Sequence, residues 1–540
     1  MDAKQLAEQA TALFSKRSTL VMMWQEVAEN FYPERADFTV HRVVGTDFAS
    51  GLMTSYPILA RRDLGDQFGS MLRPTNKEWF HTTLSDVKRE TLEAKRWLQM
   101  ADQTMRKAMY DPIAHFNRAL KEGDMDFASF GQCVITVELN SFGNALLYRC
   151  WHLRDVVWQE NANGKICFIA RKWKPGARDL LRTFPKAEFD KKIIDIAKKE
   201  PFKEVNVMHF LCEADMYDDK AGGKLYWSIY YDVDNDKVIE KTPLWNQMYV
   251  IPRWQTVSGS QYAYSPATVA ALPEARLLQA MTLTLLEAGE KAVNPPMIAT
   301  INVVKSDMDI AAGGVTWVDE EYDEKMGEAL RPLTQDLRGM PLSQEMRADT
   351  RAILSQAFYL NKLTIPQRGP EMTAYEVSQR VQEYIRGALP LFEPMESNYN
   401  GQICEVTFDL LRRNFAFGSE YDMPVELRGA NIDFQFESPL HDAIKSQKGH
   451  KFTEMSQLIA QAVALDPTAQ AVPKTPQALR DALDGIGVEA NWINSEIEVE
   501  KKAQEMAAQQ AAQQMLASMQ QGSEIAKNLG EAQQSQVPAV

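Results

Sequence analysis

Residues 361–417 constrain the fold of this 540-residue chain more than any other stretch, because a cationic, proline- and glycine-broken segment opens directly into a long helix. Asn361-Lys362-Leu363-Thr364-Ile365-Pro366-Gln367-Arg368-Gly369-Pro370 cannot be helical throughout, since each proline lacks an amide donor and pushes the residue before it out of the helical region. Thr373-Ala374-Tyr375-Glu376 reads as a capping box, the Thr373 hydroxyl accepting from the Glu376 amide and the Glu376 carboxylate answering the amide of Thr373. Val377, Val381, Tyr384, Ala388, Phe392, Met395 and Tyr399 follow at spacings of three and four as one apolar stripe. Pro390 and Pro394 fall inside the stripe, which predicts a kinked helix rather than a terminated one.

The rest of the chain changes period twice. Leu6, Ala10, Leu13, Leu20, Trp24, Val27 and Phe31 predict an opening amphipathic helix, interrupted by Arg17 and stopped by Pro33. Trp97, Ala101, Met105 and Ala108 mark a second helix, and Phe116, Leu120, Phe127 and Phe130 a third. Three β-hairpins are then expected: 133–139 with 145–151, 156–160 with 166–173, and 225–233 with 238–241. From Pro266 onward helices dominate, except for short strands expected at 297–304 and 315–318. The fold class is therefore α+β, mainly helical, with antiparallel hairpins in the N-terminal half. After Trp492 the chain becomes rich in Ala, Gln, Glu and Met, with Ala508, Ala512, Met515 and Met519 at heptad-like spacing and a polar end after Gly522. Two readings stay open there: a solvated helix, or a helix that packs against copies of itself.

Composition narrows the function. The hydrophobic fraction of 45% and aromatic fraction of 9% are those of a folding chain, long enough for several cores. No uninterrupted apolar run approaches the roughly 18 residues of a membrane span, and the N-terminus lacks the basic start and apolar core of a signal peptide, so no membrane role is expected. The five cysteines are too few and too spread for a disulfide framework and read as reduced small hydrophobes. A net charge of -14 and a pI near 5.2 argue against a tight nucleic-acid binder, but suit a surface that must not stick to nucleic acid.

Catalytic and cofactor motifs are missing. There is no G-x-x-x-x-G-K-[ST] to cradle nucleotide phosphates, and no C-x-x-C or H-E-x-x-H spacing for zinc, so no cofactor, metal or enzymatic activity is expected. Asp232-Val233-Asp234-Asn235-Asp236 resembles half a calcium loop, but Lys237 replaces the required glycine and Pro243 the bidentate glutamate, so a hairpin turn is expected. Asp124-Met125-Asp126 could form half of a two-metal site, yet it reads better as a solvated helix face.

Met372-Thr373-Ala374-Tyr375-Glu376-Val377, with Arg380, Glu383 and Leu410-Leu411-Arg412-Arg413, resembles the portal (head-to-tail connector) proteins of short-tailed, podovirus-type bacteriophages. Four further blocks are similar to that family in the same order. Leu64-Gly65-Asp66-Gln67-Phe68-Gly69-Ser70-Met71-Leu72-Arg73-Pro74 leads to Trp79-Phe80, departing from the family at Asp66-Gln67-Phe68, where smaller residues are common. Tyr264-Ser265-Pro266-Ala267 leads through Ala271-Leu272-Pro273-Glu274 to the run 286–296. Phe436-Glu437-Ser438-Pro439-Leu440 and Leu483-Asp484-Gly485-Ile486-Gly487-Val488 complete the series, which spans about residues 50–500.

The resemblance implies a portal fold: wing region 1–265, first stem helix 266–294, clip 295–336, second stem helix 337–360, channel (tunnel) loop 361–372, kinked wing helix with a following strand and helix 373–472, and crown with C-terminal tail 473–540. It further implies a homo-oligomeric ring of about twelve subunits at one capsid vertex of the virion, assembled in the host cytoplasm. Through that ring double-stranded DNA would pass in genome packaging and ejection. Implied partners are the terminase large subunit, major capsid protein, scaffolding protein and tail adaptor protein, with internal core or ejection proteins as further candidates. Lys362 and Arg368 are the channel-loop residues expected to touch passing DNA. The rival readings are a DNA-processing enzyme, either a nuclease or a packaging ATPase subunit, and a non-viral oligomeric scaffold.

Overall fold

The computed structural model describes residues 1–299 (with breaks within 41–46 and at 76, 86–90, 218–219 and 294), 330–332, 339–363, 395–419, 422–436 and 452–462, and scattered residues from 472 to 506. In chain order the first elements are α1 (Ala3–Lys16), α2 (Ser18–Phe31), α3 (Tyr56–Leu72), β1 (Phe80–Leu84), α4 (Leu92–Met109) and α5 (Phe116–Phe130). Strands follow: β2 (Val134–Leu139), β3 (Leu146–Trp151), β4 (Val156–Glu160), β5 (Ile166–Trp173), β6 (Val207–Glu213), β7 (Tyr226–Asp232), β8 (Lys237–Leu244), β9 (Tyr249–Val250), β10 (Gln255–Thr256) and β11 (Ala263–Tyr264). Between β5 and β6 lie α6 (Ala177–Thr183) and α7 (Lys191–Lys199). The remainder is α8 (Pro266–Val293), β12 (Met297–Ala299), β13 (Leu330–Pro332), α9 (Gly339–Ala357), α10 (Leu360–Leu363), a π-turn (Glu396–Gly401), α11 (Gln402–Arg413) and β14 (Ile432–Phe436), with helical residues 452–462 and a helix at Thr475–Ile486.

The chain divides into two compact units, one drawn from Met1–Phe80, Gln103–Phe417 and Phe436–Leu440, the other from His81–Asp102, Gly418–Gln435 and His441–Val540. In the first, the single opening helix read from periodicity is two helices. The Arg17 side chain turns inward at the break, donating from Nη1 to the carbonyl of Val156 and from Nη2 to that of Arg154, both at 2.6 Å. Asp2 opens α1 with a capping box, accepting from the Gln5 amide at 2.8 Å while its own amide donates to Gln5 Oε1 at 3.0 Å.

The three expected hairpins are β2/β3, β4/β5 and β7/β8, all antiparallel. The strand the hairpin signals missed is β6, whose uninterrupted buried run Val207–Cys212 shows no alternation because it is the centre of a five-stranded sheet ordered β4-β5-β6-β7-β8. Side chains along a strand alternate between faces. Met208, Phe210 and Cys212 accordingly join the cluster under Leu6, Ala10 and Leu13 of α1, while Val207 joins Leu180 of α6 and Ile193 of α7. The exposed edge strand β8 carries Lys237, Lys241 and Pro243, which blunt pairing with another chain. The β7/β8 turn holds the acidic run as a hairpin: Asn235 Nδ2 donates to Asp232 Oδ2 at 2.6 Å and Tyr231 Oη to Asp236 Oδ1 at 2.7 Å.

Helix α5 is the hub of the first unit, with Phe116, Leu120, Phe127 and Phe130 all buried, and full burial of such side chains stabilises by about 1.5–3 kcal/mol each. It approaches α3 closely because Gly65 lacks a Cβ, which would stand 2.7 Å from Met125 Sδ. Asp124 and Asp126 are not a solvated face. Both are buried, Asp124 against Arg73 and Asp126 against Arg35, which donates from Nε at 3.0 Å and Nη2 at 2.7 Å. All five cysteines are free, and burial raises the thiols of Cys133 and Cys150 well above their usual pKa, so neither is a thiolate at neutral pH.

In the second unit β1 pairs with β14, and Leu84, Ala94, Leu98, Met423 and Leu427 form its core. Buried Asp102 accepts from the Thr82 hydroxyl at 2.8 Å and from the Thr82 amide at 3.1 Å, fixing strand to helix. Several expectations lie outside the described residues: the strand at 315–318, the Thr373 capping box, the stripe through Phe392 with Pro390 and Pro394, the heptad-like positions after Ala508, and the tail after Gly522.

Candidate functional site

The two helices expected to form the stem are present. α8 runs from Pro266 to Val293, and α9 packs along it. The start of α8 is pinned to the end of α5. Ser265 Oγ donates to the Ala128 carbonyl at 2.7 Å and Thr268 Oγ1 to the Ser129 carbonyl at 2.8 Å. Gly131, at φ 72°, makes that approach possible, since a Cβ there would lie 2.1 Å from the Tyr264 carbonyl carbon. Ala267, Ala271, Ala275, Leu278 and Thr282 recur at three and four residues as the buried stripe of α8, and their small size lets the helix sit close to its neighbours. Further along, Gln279 accepts from the amides of Met53 and Thr54 at 2.7 and 3.0 Å and donates back to the Thr54 carbonyl at 3.0 Å.

The side of α8 turned away from this stripe carries exposed apolar residues between charged ones. Val269, Leu277 and Leu283 stand exposed there beside Arg276 and Glu287, with Val293 90% exposed at the helix end, and α9 adds Met346 and Ile353. By length and composition alone α8 could cross a bilayer, although no unbroken apolar run of that length occurs in it. Charged residues such as Glu274 and Arg276 interrupt the run, so a search for unbroken apolar sequence passes over it.

The described residues on either side of 364–394 are both anchored within the first unit. Phe358 packs on Phe31 with ring centroids 5.4 Å apart, and Tyr359, in the left-handed conformation at φ 57°, lies against Trp254 at 6.3 Å. That turn ends α9 and starts the short α10, whose backbone carries Lys362; Arg368 lies outside the described residues. Beyond the loop, the π-turn at Glu396–Gly401 begins two residues after Pro394. Its Tyr399 packs on Phe127 at 5.5 Å and under the Arg73 guanidinium at 4.8 Å, and Asn400 accepts from Arg73 Nη1 at 2.6 Å. The structure thus places Lys362 on α10 and brings no second expected site residue beside it among the described residues. Sequence reasoning missed Arg73 and Asn400, the residues that hold the far end. The available signal was Arg73 standing immediately before Pro74 at a helix end, within the block already singled out.

Two long helices thus lie side by side, a strand pair (Met297↔Pro332, Ile298↔Arg331) falls between them in sequence, and a clamped segment follows. The chain matches the bacteriophage head to tail connecting protein family over residues 3–493 and belongs to it. It is similar to a probable portal protein of Bordetella phage BPP-1, 22% identical over 528 residues that make up 96% of this chain and 93% of that one. It is also similar to a portal protein of Salmonella phage epsilon15, 24% identical over 327 residues, 59% of this chain and 57% of the other.

Proposed function

We propose that copies of this chain close into a ring of about twelve around a channel for double-stranded DNA, serving packaging, head–tail joining and ejection. The observation that carries this is the two-sided α8: a small-residue stripe seats it on its own subunit, while Val269, Leu277 and Leu283 stand exposed on the side turned away from that stripe, where a neighbouring copy would cover them. Shielding between subunits, and not lipid, then accounts for its apolarity. α8 and α9 form the stem, residues 295–336 the clip, 361–372 the channel loop and 473–540 the crown. The net charge of -14 keeps phosphates mobile by repulsion, while Lys362 and Arg368 give transient holds. The protein performs no chemistry of its own; the terminase large subunit supplies the motor, the capsid and scaffolding proteins the vertex, and the tail adaptor the exit, with internal ejection proteins as further partners. Assembly takes place in the host cytoplasm and the finished ring resides in the virion.

The test is to replace Leu277 and Leu283 together by Glu. The variant should keep its circular dichroism and lose the high-mass assembly in sedimentation. A variant that still assembles as the parent does places the subunit contact elsewhere and removes the support from this face.

A further inference from the structure

The insert between β5 and β6 reverses the charge of the chain. Residues 174–203 hold nine Lys and Arg against five Asp and Glu, a net of +4 in a protein of −14. Its two helices cover one side of the five-stranded sheet. Ala177 and Leu180 of α6 and Ile193 of α7 pack with Val207 of β6 and Ile239 of β8, so the opposite faces of both helices point to solvent. On α7 that outer face carries Lys191, Lys192, Lys198 and Lys199 around Asp195, and on α6 it carries Arg178 and Arg182 with Asp179, all of them exposed. The start of α6 is bonded to the turn after α7, the Ala177 amide donating to the Lys203 carbonyl at 2.9 Å and the Arg178 amide to that of Pro201 at 3.0 Å. The two cationic faces therefore belong to one small body.

Local electrostatics does not account for these cations. The helix dipole favours Lys198 and Lys199 in the last turn of α7 but disfavours Lys191 and Lys192 at its start. Asp190 is spent as the cap of α7, accepting from the Lys192 amide at 2.9 Å. Asp195 stands four residues from both Lys191 and Lys199, yet among the described residues the only ion pair within the insert joins Lys203 to Glu200 at 3.2 Å. The other eight cations are left unpaired in solvent.

We propose that the outer faces of α6 and α7 bind the phosphodiester backbone of double-stranded DNA. Seven of the nine cations are lysines, a residue depleted at the centres of protein–protein interfaces and suited to hydrated contact with phosphates. A single-strand site needs a series of rings on which successive bases stack, and Phe202, 82% exposed beside Lys203, is the insert's one exposed aromatic. Contact with backbone alone is independent of base sequence and steeply dependent on salt. The surface involves neither Lys362 nor Arg368 and does not depend on a closed channel.

Duplex binding by the full chain, followed by fluorescence anisotropy over a salt series, is the test. Lys191→Gln with Lys198→Gln and Lys199→Gln should keep wild-type circular dichroism and urea midpoint, because all three side chains are exposed. Affinity should fall about 10–100-fold at about 0.1 M salt, and the slope of log affinity on log salt should flatten by about 2–3. Removing the same charge elsewhere, at the exposed positions Lys16→Gln, Lys107→Gln and Lys165→Gln, should leave both quantities close to wild type. Equal losses in the two triple variants make the effect one of net charge, absence of duplex binding by wild type removes the ligand, and tighter binding of a single strand of the same length reassigns it; each overturns the proposal. So does a change in sedimentation of the α7 variant with duplex affinity intact, which would make this face a contact between copies.

Discussion

Arg73 at the end of α3 and Asp124 in the middle of α5 form an ion pair with both side chains almost wholly buried, and the same guanidinium donates to Asn400 in the π-turn. Burial alone would lower the Arg73 pKa, but the Asp124 carboxylate raises it, so the arginine stays charged. One side chain therefore ties α3, α5 and the π-turn together.

Removing one partner of such a pair strands the other. Arg73→Met should cost about 3–5 kcal/mol, read from denaturant midpoints, whereas Arg73→Met with Asp124→Leu should cost much less. The single variant should also be cut faster by protease near Met395, because the π-turn loses its anchor. Equal losses in the single and double variants would show that the pair is not what holds this junction.

Acid should weaken the five-stranded sheet through His209. Both its ring nitrogens are bonded, Nδ1 to Tyr249 Oη at 2.6 Å and Nε2 to Ser228 Oγ at 2.8 Å, and burial, with Arg171 nearby, holds its pKa well below the usual value. Protonation then favours the unfolded chain. The histidine's contribution is intact above about pH 6.5 and is lost as pH falls below it, at a slope of about 1.4 kcal/mol per pH unit. Urea unfolding at pH 7, 6 and 5 should show this slope in wild type and a shallower one in His209→Gln; parallel slopes would exclude His209 as the source.

The long elements were the legible ones. Periodicity gave α5 and turn residues gave three hairpins, because each is decided by local pattern, while the span of α8 came from the family resemblance. The central strand β6 was not legible, since burial on both faces erases alternation. Arg17 looked like a flaw in one helix, yet its destination, the carbonyls of Arg154 and Val156, lies more than a hundred residues away. Asp124 and Asp126 misled for the same reason: their partners Arg73 and Arg35 are distant in sequence, and an unpaired carboxylate defaults to solvent in any local reading. Of the candidate site, Lys362 is placed on α10 at the loop base, while the roles of Lys362 and Arg368 remain proposals.

Those roles are open to charge reversal. A ring multiplies each cation into a band of about twelve, whose summed field on a phosphate exceeds that of one exposed residue. Lys362→Glu with Arg368→Glu should leave assembly intact and reduce packaged DNA or its retention. Binding of duplex to isolated wild-type rings should fall steeply with salt. A double variant that packages and retains DNA as the parent does would make the loop a spacer.

Truncation after Gly522 should leave assembly unchanged, because Gln, Ser and Gly replace the apolar stripe there and few buried contacts are at stake. Sedimentation of the truncated chain checks this, and loss of the assembled species would show that the end is structural.

The central claim is that this chain encloses a channel. Negative-stain images of the purified protein should show closed rings with a central hole of at least about 20 Å, the width of duplex DNA, since one chain of this size cannot enclose such a hole alone. Monomers or dimers under every assembly condition, including the presence of scaffolding and capsid proteins, would contradict it.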